Sequence, residues 1–188
     1  MRLFIAIPLP EEIQDALAEL GNGLPGARWV PPENLHLTLR FLGEVDRRDA
    51  EDIDAALAEI RAPSFPLSIA GVDRFGDNRR LRQLWAGVEP HPGLLRLQGK
   101  VESAVVRSGM APERRKFKPH ITLARFKSNP GDKLGEFLRR HSLLRLPAFE
   151  VDRFSLFSSF LSSGGSIYSE EAFYELTSVP EAAQSTGD

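Results

Sequence analysis

Two hydrophobic periods, one of a strand and one of a helix, take turns along this chain. Leu3-Phe4-Ile5-Ala6-Ile7 is an unbroken apolar run bounded by Pro8 and Pro10, the pattern of a central strand buried on both faces. From Glu11 to Leu20 the spacing becomes helical, with Ile13, Ala16, Leu17 and Leu20 on one side, acidic residues in the first turn and Gly21 as a stop. Gly21 to Pro32 is a Gly/Pro-rich connection carrying Trp29, after which Leu35 to Leu42 reads as a strand ending at Gly43. Asp49 to Ile60 predicts a second helix, with Ile53, Ala56, Leu57 and Ile60 inward and Pro63 closing it off. Phe65 to Val72 and Leu81 to Val88 flank the turn-like Gly76-Asp77-Asn78 and predict an antiparallel hairpin. Pro92 then opens a helix to about Ser108, with Leu94, Leu97, Val101 and Val105 as its buried stripe. A strand over Phe117 to Phe126, a helix near Asp132 to Arg140 and strands near Phe149 to Phe160 and Ser166 to Leu176, turning at Gly164-Gly165, complete the pattern. Residues 179–188 have the small, polar composition of a frayed tail.

The order strand, helix, strand, helix, strand thus runs once from Leu3 and again from about Leu81. A duplicated order of this kind predicts an α+β fold of two pseudo-symmetric lobes, each an antiparallel sheet with helices on its outer face, enclosing a cleft. Residues 1–178 would form one bilobal domain.

Within each copy the third element carries the same short pattern: His36-Leu37-Thr38-Leu39 and His120-Ile121-Thr122-Leu123. Strand alternation puts His36 and Thr38 on one face and His120 and Thr122 on the corresponding face of the other copy. The histidines lie at 36 and 120 in a sequence with only four, and pseudo-two-fold lobes would set them facing each other across the cleft. The other two fit other places: His91 lies between Pro90 and Pro92 at a helix start, and His141 lies at a helix C-terminus, which favours positive charge.

Composition narrows the chemistry. With 188 residues, 41% hydrophobic and 27% charged, the chain is an ordinary globular one with a substantial core. Its net charge of −2 argues against wholesale capture of long nucleic acid but leaves room for local basic clusters, Arg79, Arg80 and Arg82, and Arg114, Arg115, Lys116 and Lys118. No cysteine means no disulfide, thiolate nucleophile or cysteine metal site. No run reaches membrane-spanning length, and the opening apolar run is too short for a signal peptide, so the sequence predicts a monomer in the cytoplasm without membrane contact. Zinc is the rival use for paired histidines, but no His-x-x-x-His or third ligand accompanies them, and neither metal nor cofactor is expected.

Two facing imidazoles can divide the work of acid and base near neutral pH, one giving a proton while the other takes one. Such a pair suits in-line displacement at phosphorus, with the threonine hydroxyls on the non-bridging oxygens and an arginine offsetting their charge. Strict alternation gives that arginine position to Arg40, which shares a face with His36 and Thr38, and points Arg125 away unless its strand bulges.

Leu35-His36-Leu37-Thr38-Leu39-Arg40-Phe41-Leu42-Gly43 and His120-Ile121-Thr122-Leu123-Ala124-Arg125 resemble the paired signatures of the two-histidine phosphoesterases, and in particular of the RNA 2′,3′-cyclic phosphodiesterase family, formerly called 2′-5′ RNA ligases. That resemblance spans nearly everything before the tail. It implies metal-independent hydrolysis of an RNA terminal 2′,3′-cyclic phosphate to a 2′-phosphomonoester, with His36 as proton donor to the departing 3′ oxygen and His120 as proton acceptor for water. Thr38 and Thr122 would hold the phosphate, and the family's arginine falls on Arg125 rather than Arg40. Action on another small cyclic phosphate, RNA ligation in the reverse direction, and a non-catalytic RNA-end binding module are the alternatives. A bell-shaped pH dependence centred near neutrality, insensitive to chelation, is expected.

Overall fold

A computed structural model describes residues 1–76 and 80–178. Asp77, Asn78 and Arg79 of the expected turn and basic cluster, and the expected tail, lie outside the described residues. The strands are β1 (Arg2–Pro8), β2 (Ala27–Trp29), β3 (His36–Glu44), β4 (Phe65–Leu67), β5 (Ile69–Gly76), β6 (Leu81–Val88), β7 (His120–Phe126), β8 (Phe149–Val151), β9 (Arg153–Ser162) and β10 (Gly165–Glu175). The helices are α1 (Glu11–Ala18), α2 (Arg47–Ala58), α3 (Pro92–Arg107) and α4 (Lys133–His141), and a 3-10 turn covers Pro32–Asn34.

Local chemistry explains the boundaries. Asp46 caps α2 by accepting the Asp49 N–H at 2.8 Å, so this helix begins two residues before the expected Asp49. His91 caps α3 in the same way, its Nδ1 accepting the Gly93 N–H at 3.0 Å while Pro92 takes the first helical position. The second histidine strand begins at His120 and not at Phe117, directly after Pro119, which has no N–H to give a ladder.

Two four-stranded antiparallel sheets make the lobes. The first has the order β10-β9-β1-β3 and the second β2-β7-β6-β5, and β4 pairs with β8 in a two-stranded ribbon. Leu3 to Ile7 are all buried because β1 lies inside the first sheet, between β9 and β3. The apolar run Phe65 to Val72, read as one strand of a hairpin, is two strands. Its first part pairs with β8, and only the second joins β6. Phe149 to Phe160 divides likewise at Asp152 into β8 and β9. The stretch read as loop from Gly21 to Pro32 contains β2, a three-residue edge strand held on β7.

The repeated order is therefore built with an exchange. The fifth element of the first copy, β5, pairs with β6 of the second copy, and β9 of the second pairs with β1 of the first. Helices are exchanged as well. α2 and α3 pack together behind the first sheet, against β10 and β3, whereas α4 lies on β5 and sets Phe137 5.9 Å from the Trp29 ring of the second sheet. One contiguous apolar cluster runs from Leu3 to Leu176 through both lobes. No helix among the described residues is long and apolar enough to cross a membrane.

Candidate active site

The exchange leaves β3 and β7, the two His-x-Thr strands, in contact with one another. His36 and Thr38 are half-buried on β3, as are His120 and Thr122 on β7, while the leucines and isoleucine between them are buried. Each imidazole is oriented by the backbone two residues earlier: Nδ1 of His36 lies 2.7 Å from the Asn34 carbonyl oxygen, and Nδ1 of His120 lies 2.7 Å from the Lys118 carbonyl oxygen. A carbonyl only accepts, so Nδ1 carries the hydrogen in both rings and Nε2 is the atom left for proton transfer.

Beyond that shared hydrogen bond the surroundings differ. His36 lies 4.8 Å from the Phe4 ring and edge-on to Tyr168 at 5.5 Å, and its Nε2 is 3.0 Å from Thr38 Oγ1. His120 meets Phe75 edge-on at 4.9 Å, and its Nε2 is 3.3 Å from Nε2 of Gln83. Assigned as the amide NH₂, that group donates into the open lone pair of His120 Nε2. Gln83 is absent from the sequence-based site. Its signal was a second polar residue after Arg82, where the strand Leu81 to Ala86 is otherwise apolar. Lys118 holds its ammonium 5.0 Å from both the Phe75 and Trp85 ring centroids, and at Gly87, the residue paired with His120, a Cβ would come 2.7 Å from the Ala70 carbonyl oxygen.

A bulge repeated in both lobes sets the two arginines on different faces. In the β1/β3 pair Ile5 lies opposite Arg40 and Ala6 opposite Thr38, leaving Leu39 as an extra residue; in the β6/β7 pair Leu84 lies opposite Ala124 and Trp85 opposite Thr122, leaving Leu123 extra. Alternation is reset after each bulge. Leu39 and Arg40 are both buried, as are Leu123 and Ala124, and the next residues, Phe41 and Arg125, emerge on the face of the histidines. Arg40 therefore does not share the face of His36 and Thr38 that strict alternation gives it. Arg40 is 9% exposed, donates through Nε to Glu102 at 2.6 Å and through Nη2 to the Ala111 carbonyl at 2.6 Å, and ties β3 to α3 and to the segment leading into β7. The Arg125 side chain is exposed and has no hydrogen-bond or ion-pair partner among the described residues.

Burial holds the His36 imidazole far below the usual histidine value, at about 4, against the Asn34 carbonyl, which favours the proton; the charges of Arg125 and His120 add to the depression. Burial lowers His120 too, with the Lys118 ammonium acting in the same direction. At His141, burial against Phe137 at 4.4 Å and the charge of Arg140 lower the pKa, opposing the positive charge that its helix end favours. Of the second basic cluster, Arg115 pairs with Glu113 at 3.6 Å. Among the described residues no group of three or more His, Asp and Glu side chains converges as a metal site.

The family model for LigT like Phosphoesterase matches residues 7–85 and 87–168, so each match contains one of the two His-x-Thr strands. The chain belongs to this family. It is 38% identical over 176 residues to an RNA 2′,3′-cyclic phosphodiesterase of Thermotoga maritima, covering 89% of this chain and 91% of that one. A protein of the same name from Archaeoglobus fulgidus is 34% identical over 180 residues, covering 93% and 100%. Among solved structures of the family, Escherichia coli LigT complexed with 3′-AMP superposes with a TM-score of 0.78 at 30% identity, over 94% of this chain and 98% of that one.

Proposed function

We propose that this protein hydrolyses the 2′,3′-cyclic phosphate at an RNA 3′ end to a 2′-phosphomonoester, with His36 as acid and His120 as base. The observation that carries the reading is the doubled geometry: two imidazoles on contacting strands, each fixed through Nδ1 by the carbonyl two residues back and each left with Nε2 for chemistry. Nε2 of His120 takes a proton from water as the water oxygen bonds to phosphorus. The bond from phosphorus to O3′ breaks on the opposite side, and O3′ takes the proton from Nε2 of His36. Thr38 and Thr122 hydrogen-bond the non-bridging oxygens. Arg125, brought to this face by the bulge, offsets their growing charge. No step calls for a metal or an organic cofactor.

We extend the reading to a monomer in the cytoplasm, because one chain supplies both histidines and a cysteine-free chain suits a reducing compartment. Residues 1–178 act as one bilobal unit in this proposal, supported by the strand exchange between lobes. The test is turnover of an oligonucleotide ending in 2′,3′-cyclic phosphate, with the position of the product phosphate determined. His36→Ala and His120→Ala should each lower turnover by roughly 10²–10⁴-fold while leaving the circular dichroism unchanged. Wild-type rates in either variant would refute the acid–base assignment.

A further inference from the structure

Arg125 does not stand alone at the cleft. β2 places Arg28 directly opposite it, and directly opposed residues of an antiparallel pair project on the same side of the sheet. The neighbouring residue checks the direction: Trp29 packs behind the sheet against Phe137 of α4, so Arg28 faces the front with Arg125. Both arginines are exposed, and neither side chain has a hydrogen-bond or ion-pair partner among the described residues. Elsewhere arginines do have acid partners, as Arg40 does in Glu102, Arg47 in Glu51, Arg115 in Glu113, Arg145 in Glu89 and Arg153 in Glu170.

Two like charges set opposite each other cost stability unless an anion comes between or beside them. Across the sheet the row reads Arg28, Arg125, Gln83, Phe75, so Arg28 stands one strand further out than Arg125, about 4.8 Å away in strand spacing. If Arg125 faces the reacting phosphate, Arg28 faces the next anion outward. On an RNA 3′ end that anion is the phosphodiester on the 5′ side of the terminal nucleoside. A free cyclic mononucleotide has no such group.

We propose that Arg28, opposite Arg125 on the edge strand β2, binds the last internucleotide phosphate of the substrate, and that this contact makes the protein select oligonucleotide ends over cyclic mononucleotides. The proposal rests on the RNA-end reading above. A guanidinium fork matches two phosphate oxygens and is always charged, so binding of this kind is electrostatic, salt-dependent and indifferent to the base.

The test compares wild type with Arg28→Ala and Arg28→Lys on three substrates: a 2′,3′-cyclic mononucleotide, a dinucleotide ending in the same cyclic phosphate, and that dinucleotide with an uncharged methylphosphonate linkage. Wild type should prefer the phosphate-linked dinucleotide, with the methylphosphonate falling to the level of the mononucleotide. Arg28→Ala should lose roughly threefold to tenfold in kcat/KM on the phosphate-linked dinucleotide alone, and its salt dependence on that substrate should be shallower. Arg28→Lys should recover part of the loss. Equal loss on mononucleotide and dinucleotide, or full wild-type activity on the methylphosphonate, would overturn the role of Arg28 while leaving the RNA-end reading intact. A wild-type protein inert on all three would instead overturn that reading, and this inference with it.

Discussion

His36 and His120 carry the same Nδ1 hydrogen bond, yet one residue makes them unequal: Phe4 lies against His36 where Gln83 reaches His120. An apolar ring disfavours a charged imidazole, and a donating amide occupies the lone pair of a neutral one. Both rings are thus neutral in the free protein near pH 7, which suits His120 as the base. In the proposed mechanism His36 gains its proton as an anionic phosphate binds and offsets its burial. The sign of the pH dependence follows. kcat/KM reports the free protein, where the productive form needs a proton on a group lowered to about 4 and none on a group lowered from 6.5. Its bell should therefore peak on the acidic side of 6.5, not at the neutrality that unperturbed histidines would give, with limbs that belong to the coupled pair. The kcat profile should extend to higher pH, because bound phosphate stabilises the His36 imidazolium. Gln83→Glu should raise the pKa of His120 and move the upper limb of kcat/KM upward. NMR titration of the histidine ring protons checks the assignment, and ordinary values near 6.5 for both rings would refute it.

At the scale of elements, the two bulges do what no local pattern announced. The histidines and threonines were legible because a four-residue strand motif needs only period-two alternation to place them. For the arginine, alternation pointed to Arg40 while the resemblance pointed to Arg125. A bulge inserts one residue and reverses the faces beyond it, and the pattern Leu39-Arg40 hides this because its second member is charged although buried. Leu123-Ala124, both apolar, carried the fainter hint. The same limit applies to β2, whose three residues are too few for a period, and to Phe65–Val72, where one continuous apolar run serves two strands with different partners. The bulge predicts opposite phenotypes for the two arginines. Arg125→Ala should leave the urea midpoint near wild type and lower kcat/KM by about tenfold or more, the scale of a hydrogen bond to a charged group. Arg40→Ala strands Glu102, which also accepts the Glu113 N–H at 2.8 Å, and should cost about 3 kcal/mol of stability with kcat largely kept where the protein is folded. Urea titration and steady-state kinetics on both variants decide it, and an inactive but fully stable Arg40→Ala would contradict the placement.

Over the whole molecule, the repeated element order was readable but the exchange was not, since β5 and β9 occupy the same places in the sequence whichever sheet they join. Exchange couples the lobes physically. Each half of the chain, cut between β5 and β6, would leave β1 or β6 without an outer neighbour and expose a ladder edge beside a buried apolar run. One apolar core shared by both sheets holds β3 against β7, which suits the proposed pair of groups acting on opposite sides of one phosphorus. Such a molecule should unfold as one unit, and its tryptophans make the prediction testable. The sequence has only Trp29 and Trp85, which lie in β2 and β6, both in the second sheet. Tryptophan emission in urea, excited at wavelengths where the β10 tyrosines Tyr168 and Tyr174 do not absorb, therefore reports the second lobe alone, whereas far-ultraviolet circular dichroism reports both. The two transitions should coincide in midpoint and slope, as a two-state chain demands. If the fluorescence change is displaced from the circular dichroism change, the lobes melt separately and the exchanged strands do not couple them.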